Sequence, residues 1–93
     1  MESLYVYIMS NASRVVYIGV TGNILQRYGE HSCGQGSQFT ARHRLHRLVY
    51  FEQCFDPTQA IAREKQLKGW RRSKKVRLIE SVNPEWNDLS DQL

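Results

Sequence analysis

Two short runs, "LYVYIM" (Leu4–Met9) and "VVYIGV" (Val15–Val20), most constrain what this chain can build. Both are dense in aromatic and β-branched residues, which suit a pleated, half-buried surface, and turn chemistry, "SNASR", separates them. They predict a β-hairpin. Side chains alternate along a strand, so Val6, Ile8, Val16 and Ile18 share one face while Tyr5, Tyr7, Val15 and Tyr17 share the other. A three-residue loop, with Ser10 opposite Arg14, sets Tyr7 directly across from Tyr17.

Thr21 or Asn23 can cap a helix running to about Ser32, and Asn23 also gains a capping-box partner in Gln26. Ile24, Leu25 and Tyr28 form its apolar stripe, bordered by Arg27 and His31. "CGQGSQ" ends that helix and opens a loop. "RLVYFEQCF" (Arg47–Phe55) reads as a third strand. Asp56 then caps a helix with Pro57 at its first position, continuing to around Trp70. Ser73 can cap a last helix with Val76, Ile79 and Val82 on one side. Asn83–Pro84 stops it, and Trp86 and Leu89 can fold back as a clasp. With no repeat, low-complexity tract or linker, residues 1–93 read as one domain. The expected order is β-β-α-β-α-α, an α+β fold with a small three-stranded, mostly antiparallel sheet flanked by helices.

Charge is unevenly spread. Eleven of the thirteen Lys and Arg lie between Arg42 and Arg77, and "KQLKGWRRSKKVR" carries seven cations without one acid. Those seven, Lys65, Lys68, Arg71, Arg72, Lys74, Lys75 and Arg77, are the footprint of a polyanion binder, set against the plainer reading of a solvated helix. No apolar run approaches ~20 residues, so no membrane span is expected. "MESLYVYIMS" has neither a basic n-region nor a long apolar h-region, and Cys33 and Cys54 are too few for a disulfide framework. A cytoplasmic protein is expected. His43, His46 and the two cysteines match no familiar zinc spacing.

Glu64 is an acid within the most basic part of the chain, three residues after Ile61 and three before Leu67. It reads either as an ion pair with Arg63, Lys65 or Lys68, or as a hard oxygen ligand holding Mg²⁺ together with waters and substrate phosphate. Tyr7 and Tyr17 read as half-buried sheet tyrosines, or as bases if nearby cations favour the phenolate. Arg27 can supply that charge or clamp phosphate; on the plainer reading it is surface decoration. His31 reads as a surface histidine or a proton carrier.

"YVY" (Tyr5–Tyr7), Tyr17 ten positions after Tyr7 in "YIG" (Tyr17–Gly19), Arg27, and Glu64 on a later helix together resemble the GIY-YIG nuclease domain over nearly the whole chain. More narrowly, the pattern is similar to stand-alone bacterial GIY-YIG proteins. The resemblance implies a metal-dependent endonuclease hydrolysing phosphodiester bonds of DNA. Tyr7 and Tyr17 would be the motif tyrosines, one of them acting as, or next to, the general base. Arg27 would stabilise the phosphate, His31 would support the tyrosines, and Glu64 would bind one divalent ion, Mg²⁺ or Mn²⁺. Three features depart from the pattern. Tyr5 stands where the first motif has glycine, and Lys65, Lys68 and Gly69 stand where several members place an asparagine. No appended DNA-binding domain is read in the chain. The departures motivate a rival reading, a nucleic-acid-binding module that keeps the fold without turnover. A third reading is a domain whose basic face docks an acidic protein. Natural substrate and oligomeric state stay open.

Overall fold

A computed structural model describes residues 3–93; the first two residues of the segment read for a secretory signal, and of the 1–93 domain, lie outside it. The hairpin forms from β1 (Leu4–Ser10) and β2 (Val16–Thr21), but its loop spans five residues. Ser10 faces Val16, so Tyr7 lies opposite Gly19 and not Tyr17. Asn11 accounts for the shift. Its carbonyl accepts the Arg14 N–H at 2.9 Å, its Oδ1 accepts the Val15 N–H at 3.1 Å, and Arg14 takes a left-handed φ of 62°. This local turn outcompetes the tighter loop. Because the slip is by two residues, every side chain keeps its expected face. Tyr7 and Tyr17 are diagonal neighbours, ring centroids 6.4 Å apart.

The chain continues through α1 (Ile24–Ser32), α2 (Gln38–His43), β3 (Arg47–Cys54), α3 (Pro57–Gly69) and α4 (Arg72–Val82) to a 3₁₀ turn at Ser90–Gln92. β3 pairs antiparallel with β1, giving sheet order β2-β1-β3 and the expected α+β architecture. Helix α2 replaces the expected loop. Ser37 and Thr40 form a reciprocal capping box, and six residues are too few to show helical periodicity in sequence. Helix α4 starts at Arg72, with Arg71 and not Ser73 at its N-cap and no side-chain cap.

Each sheet face has its own core. Val6, Ile8, Ile18, Val49 and Tyr50 pack against Ala60 and Leu67 of α3, Ile79 of α4 and Trp86. Tyr7, Met9 and Leu48 pack against Ile24 of α1 and Leu45. A bulge beside Ile8–Met9 pairs Ile8 with Tyr50 and Met9 with Leu48, leaving Val49 as the extra residue. On α1, Ile24 and His31 are buried and Tyr28 partly so, while Leu25 is 63 % exposed. The buried stripe is therefore i, i+4, i+7, with the histidine inside it.

The clasp also forms. Trp86 is buried in the α3/α4 core, its Nε1 donating to Glu80 Oε2 at 2.8 Å, with the Arg14 guanidinium 5.1 Å above its ring. Leu89 contributes through its backbone, its N–H donating to the Leu48 carbonyl at 2.7 Å, while Leu48 N–H donates to Asp88 Oδ1 at 3.0 Å. Asn83 Nδ2 donates to the Val49 carbonyl at 2.9 Å. Among the described residues no helix is long and apolar enough to cross a membrane.

Candidate active site

Tyr7 stands on the central strand, 3 % exposed, with its ring laid across Gly19. A Cβ at Gly19 would come within 2.5 Å of Tyr7 Oη and 2.6 Å of Cζ, so the glycine of "YIG" is the space in which this phenol lies. Gly19→Ala is expected to cost ~1–3 kcal/mol through overpacking, read by urea unfolding; an unchanged midpoint would show that Tyr7 moves aside freely.

The phenol ends on a buried histidine. Tyr7 Oη lies 3.0 Å from His31 Nε2, and His31 Nδ1 lies 3.0 Å from Thr40 Oγ1. Thr40 Oγ1 also donates to the Ser37 carbonyl at 3.2 Å. We therefore assign the Nδ1 proton to the Thr40 bond, leaving Nε2 to accept the Tyr7 O–H. Gly36 packs on the imidazole, and a Cβ there would overlap the ring. His31 is 1 % exposed, which corrects the surface-histidine reading. Burial holds it below the ordinary value of 6.5, the Arg27 charge adds to this, and Glu30 partly opposes. The folded state prefers neutral His31, so its stability contribution is present above 6.5 and is lost as pH falls below it. Tyr7 is pushed well above the ordinary phenol value, by burial first and then Tyr17; Glu64 and Glu30 act in the same direction and Arg27 against it. Both partners are neutral at neutral pH.

Tyr17 sits on the edge strand, partly buried, its ring centroid 5.4 Å from that of His31. It lines a cleft of about 380 Å³ with Val16, Ile18, Phe39, Lys68 and Lys75. Arg27 is partly exposed, its Nη1 3.1 Å from Glu30 Oε1, and it lines a polar recess of about 150 Å³ with Thr21, Asn23, Gln26 and Glu30. Glu64 takes the ion-pair reading directly, with Oε2 3.2 Å from Lys68 Nζ and its side chain 22 % exposed. Leu67 beside it is buried, whereas Ile61 is exposed. Arg27 and Glu64 bear on Tyr7 only through their charges, in opposite senses; their direct partners are Glu30 and Lys68, and neither lines the Tyr17 cleft. Tyr5, in place of the motif glycine, packs edge-on against Phe51 at 6.3 Å.

Among the described residues no three His, Cys, Asp or Glu side chains cluster. Glu64 offers a carboxylate to a divalent cation without such a cluster around it, a sparse set that suits Mg²⁺, an ion that keeps most of its waters and takes the rest of its shell from substrate phosphate. The seven basic candidates occupy more than one surface. Lys68 and Lys75 line the Tyr17 cleft, whereas Arg71, Lys74 and Arg77 border a groove around Trp70, with Lys74 Nζ 4.3 Å over the indole. Arg72 donates to the Arg14 carbonyl at 2.7 Å, and Lys65 is exposed on α3. Sequence reasoning missed Gly36, Phe39 and Thr40; the Ser37-x-x-Thr40 capping pattern was the available signal.

The profile of the GIY-YIG catalytic domain matches residues 3–77. A UPF0213 protein of Natronomonas pharaonis is 36 % identical over 75 residues, covering 81 % of this chain and 88 % of its own. One from Staphylococcus aureus is 35 % identical over 79 residues, covering 85 % and 96 %. The solution NMR structure of a UPF0213 protein from Bacillus halodurans superposes with a TM-score of 0.60 at 26 % identity, covering 92 % of each chain. The matched span carries the hairpin tyrosines, Arg27 and Glu64 alike, and with it the chain belongs to the GIY-YIG catalytic-domain family, which implies a nuclease-type function on nucleic acid.

Proposed function

We propose that this protein is a metal-dependent endonuclease that hydrolyses phosphodiester bonds of DNA. The observation that carries the reading is the meeting of Tyr7, Tyr17 and His31 in one ring cluster, within a family match whose span also holds Arg27 and Glu64. A group that handles the attacking water must reach solvent. Tyr17 opens on the cleft, whereas Tyr7 is buried and its deprotonation is disfavoured. Tyr17 Oη is accordingly the hydroxyl that binds the water, and Tyr7, fixed by His31 and Thr40, is a positioning residue. Arg27 exchanges Glu30 for a non-bridging phosphate oxygen, where its planar fork stabilises the negative charge on the phosphoryl oxygens as water attacks phosphorus. Glu64 would hold Mg²⁺ or Mn²⁺, which when bound supplies Lewis-acid stabilisation of the phosphoryl oxygens. The exposed cations of α3 and α4 contact backbone phosphates without reading bases.

Incubating supercoiled plasmid with purified protein and Mg²⁺ or Mn²⁺ tests this, nicked circles being the expected product. The rival, a binding module without turnover, draws on the occupied state of both charges, Arg27 on Glu30 and Glu64 on Lys68. Salt-sensitive binding with no nicking of plasmid, branched or damaged DNA would select it. The buried histidine adds a pH expectation. Nicking should hold through neutrality and fall only at a pH lower than the ordinary imidazole value of 6.5, once His31, held down by burial and Arg27, takes up a proton and no longer accepts the Tyr7 hydrogen bond. In His31→Gln the acid limb should lose this inflection; an identical limb would remove His31 from the mechanism.

A further inference from the structure

Phe39 is the feature that the roles above leave unused. It projects from α2, 43 % exposed, with Tyr17 against it at 6.2 Å and 29° between ring planes, and His43 tilted on it at 4.5 Å. Other large apolar side chains are also exposed, Leu25, Phe55 and Val82 among them, and single exposed residues need no explanation. Phe39 differs in its surroundings. It forms one wall of the cleft of about 380 Å³ into which Tyr17 opens, and Lys68 of α3 and Lys75 of α4 stand in the same cleft. A flat apolar ring, a phenol and two ammonium groups around one opening offer a face for stacking and charge for phosphate.

The helix that presents this ring is also the one that fixes the histidine. Thr40, one residue after Phe39, bonds His31 Nδ1, and the Ser37–Thr40 capping box holds the turn. The position of Phe39 relative to Tyr17 is therefore set by the same contacts that orient Tyr7. A continuous duplex presents base edges in its grooves and buries base faces in its stack. Only an unpaired or extruded base can offer its face to Phe39.

Resting on the nuclease reading, we propose that Phe39 and Tyr17 form a ledge for an unpaired base beside the scissile phosphate, with Lys68 and Lys75 on the adjoining phosphates. The preferred substrate class is thus single-stranded DNA, or the unpaired segment of a branched one. Fluorescence anisotropy without divalent ion, comparing labelled oligo-dT with a loop-free, blunt-ended two-strand duplex of equal phosphate count at one salt concentration, tests this. Wild type should favour the single strand by roughly 10-fold, the worth of about one stacked base. Phe39→Ala and Phe39→Leu should both lose roughly that factor on the single strand and under about 2-fold on the duplex, while Phe39→Tyr retains it. Phe39→Leu keeps apolar bulk without an aromatic face, so its loss would not reflect misfolding. A 5-iodouracil oligonucleotide should cross-link to Phe39 or Tyr17. Equal affinity for both oligonucleotides, equal losses on both, or cross-links confined to the Trp70 groove would overturn the ledge. Because divalent ion is absent, failure to nick plasmid leaves the ledge standing, whereas nicking with no Phe39 effect in these assays defeats the ledge alone. Binding to neither oligonucleotide defeats both readings.

Discussion

Glu64→Gln is expected to reduce plasmid nicking about 1,000-fold, equivalent to about 4 kcal/mol of transition-state stabilisation, the scale of a lost Lewis acid. The amide nearly matches the carboxylate in size but carries no charge for a hard cation. Stability should scarcely change. The Glu64–Lys68 pair is an i,i+4 contact with the lysine side chain 54 % exposed, and such pairs contribute about 0.3–0.5 kcal/mol. DNA binding without metal should also be retained, or rise slightly as Lys68 is released. Nicking rates, thermal melts and anisotropy on one preparation separate these effects. Undiminished nicking with a normal melt would remove Glu64 from the chemistry.

The second large effect lies in the core. Trp86→Ala should destabilise the fold by ~3–5 kcal/mol, a large share of the ~5–15 kcal/mol expected for a domain of this size. The indole is 1 % exposed among Val6, Ile8, Leu67 and Ile79, so truncation leaves a cavity under both C-terminal helices. It also strips Glu80 of the indole N–H and Arg14 of its ring partner. Trp86 lies nine positions beyond the last residue matched by the family profile, so the stable unit is longer than the matched one. Urea unfolding followed by far-UV circular dichroism measures this; a loss under 1 kcal/mol would mean the tail merely covers the core.

Strand and helix positions were legible because periodicity and caps are local signals. The Tyr7/Tyr17 face survived even a wrong loop length, since a two-residue slip preserves parity. The slip itself was hidden because it depends on where the Asn11 side chain turns, which composition does not encode. His31 was misjudged because a polar residue in an apolar stripe looks like a boundary until its partners are known, and both, Tyr7 and Thr40, are distant in sequence or on an unforeseen helix. The basic run was legible as charge but not as a surface. Its residues span the end of one helix and most of the next, so they point in several directions.

The outer edge of β3 has its free ladder groups occupied at Leu48 and Val49 by Asp88, Leu89 and Asn83. Those groups would otherwise be a template on which another chain could add a strand. The segment after α4 thus acts as a stopper against sheet-to-sheet association, independent of its share in the core. A chain shortened before Asn83 should self-associate even under conditions where enough folded structure persists to bind nucleic acid.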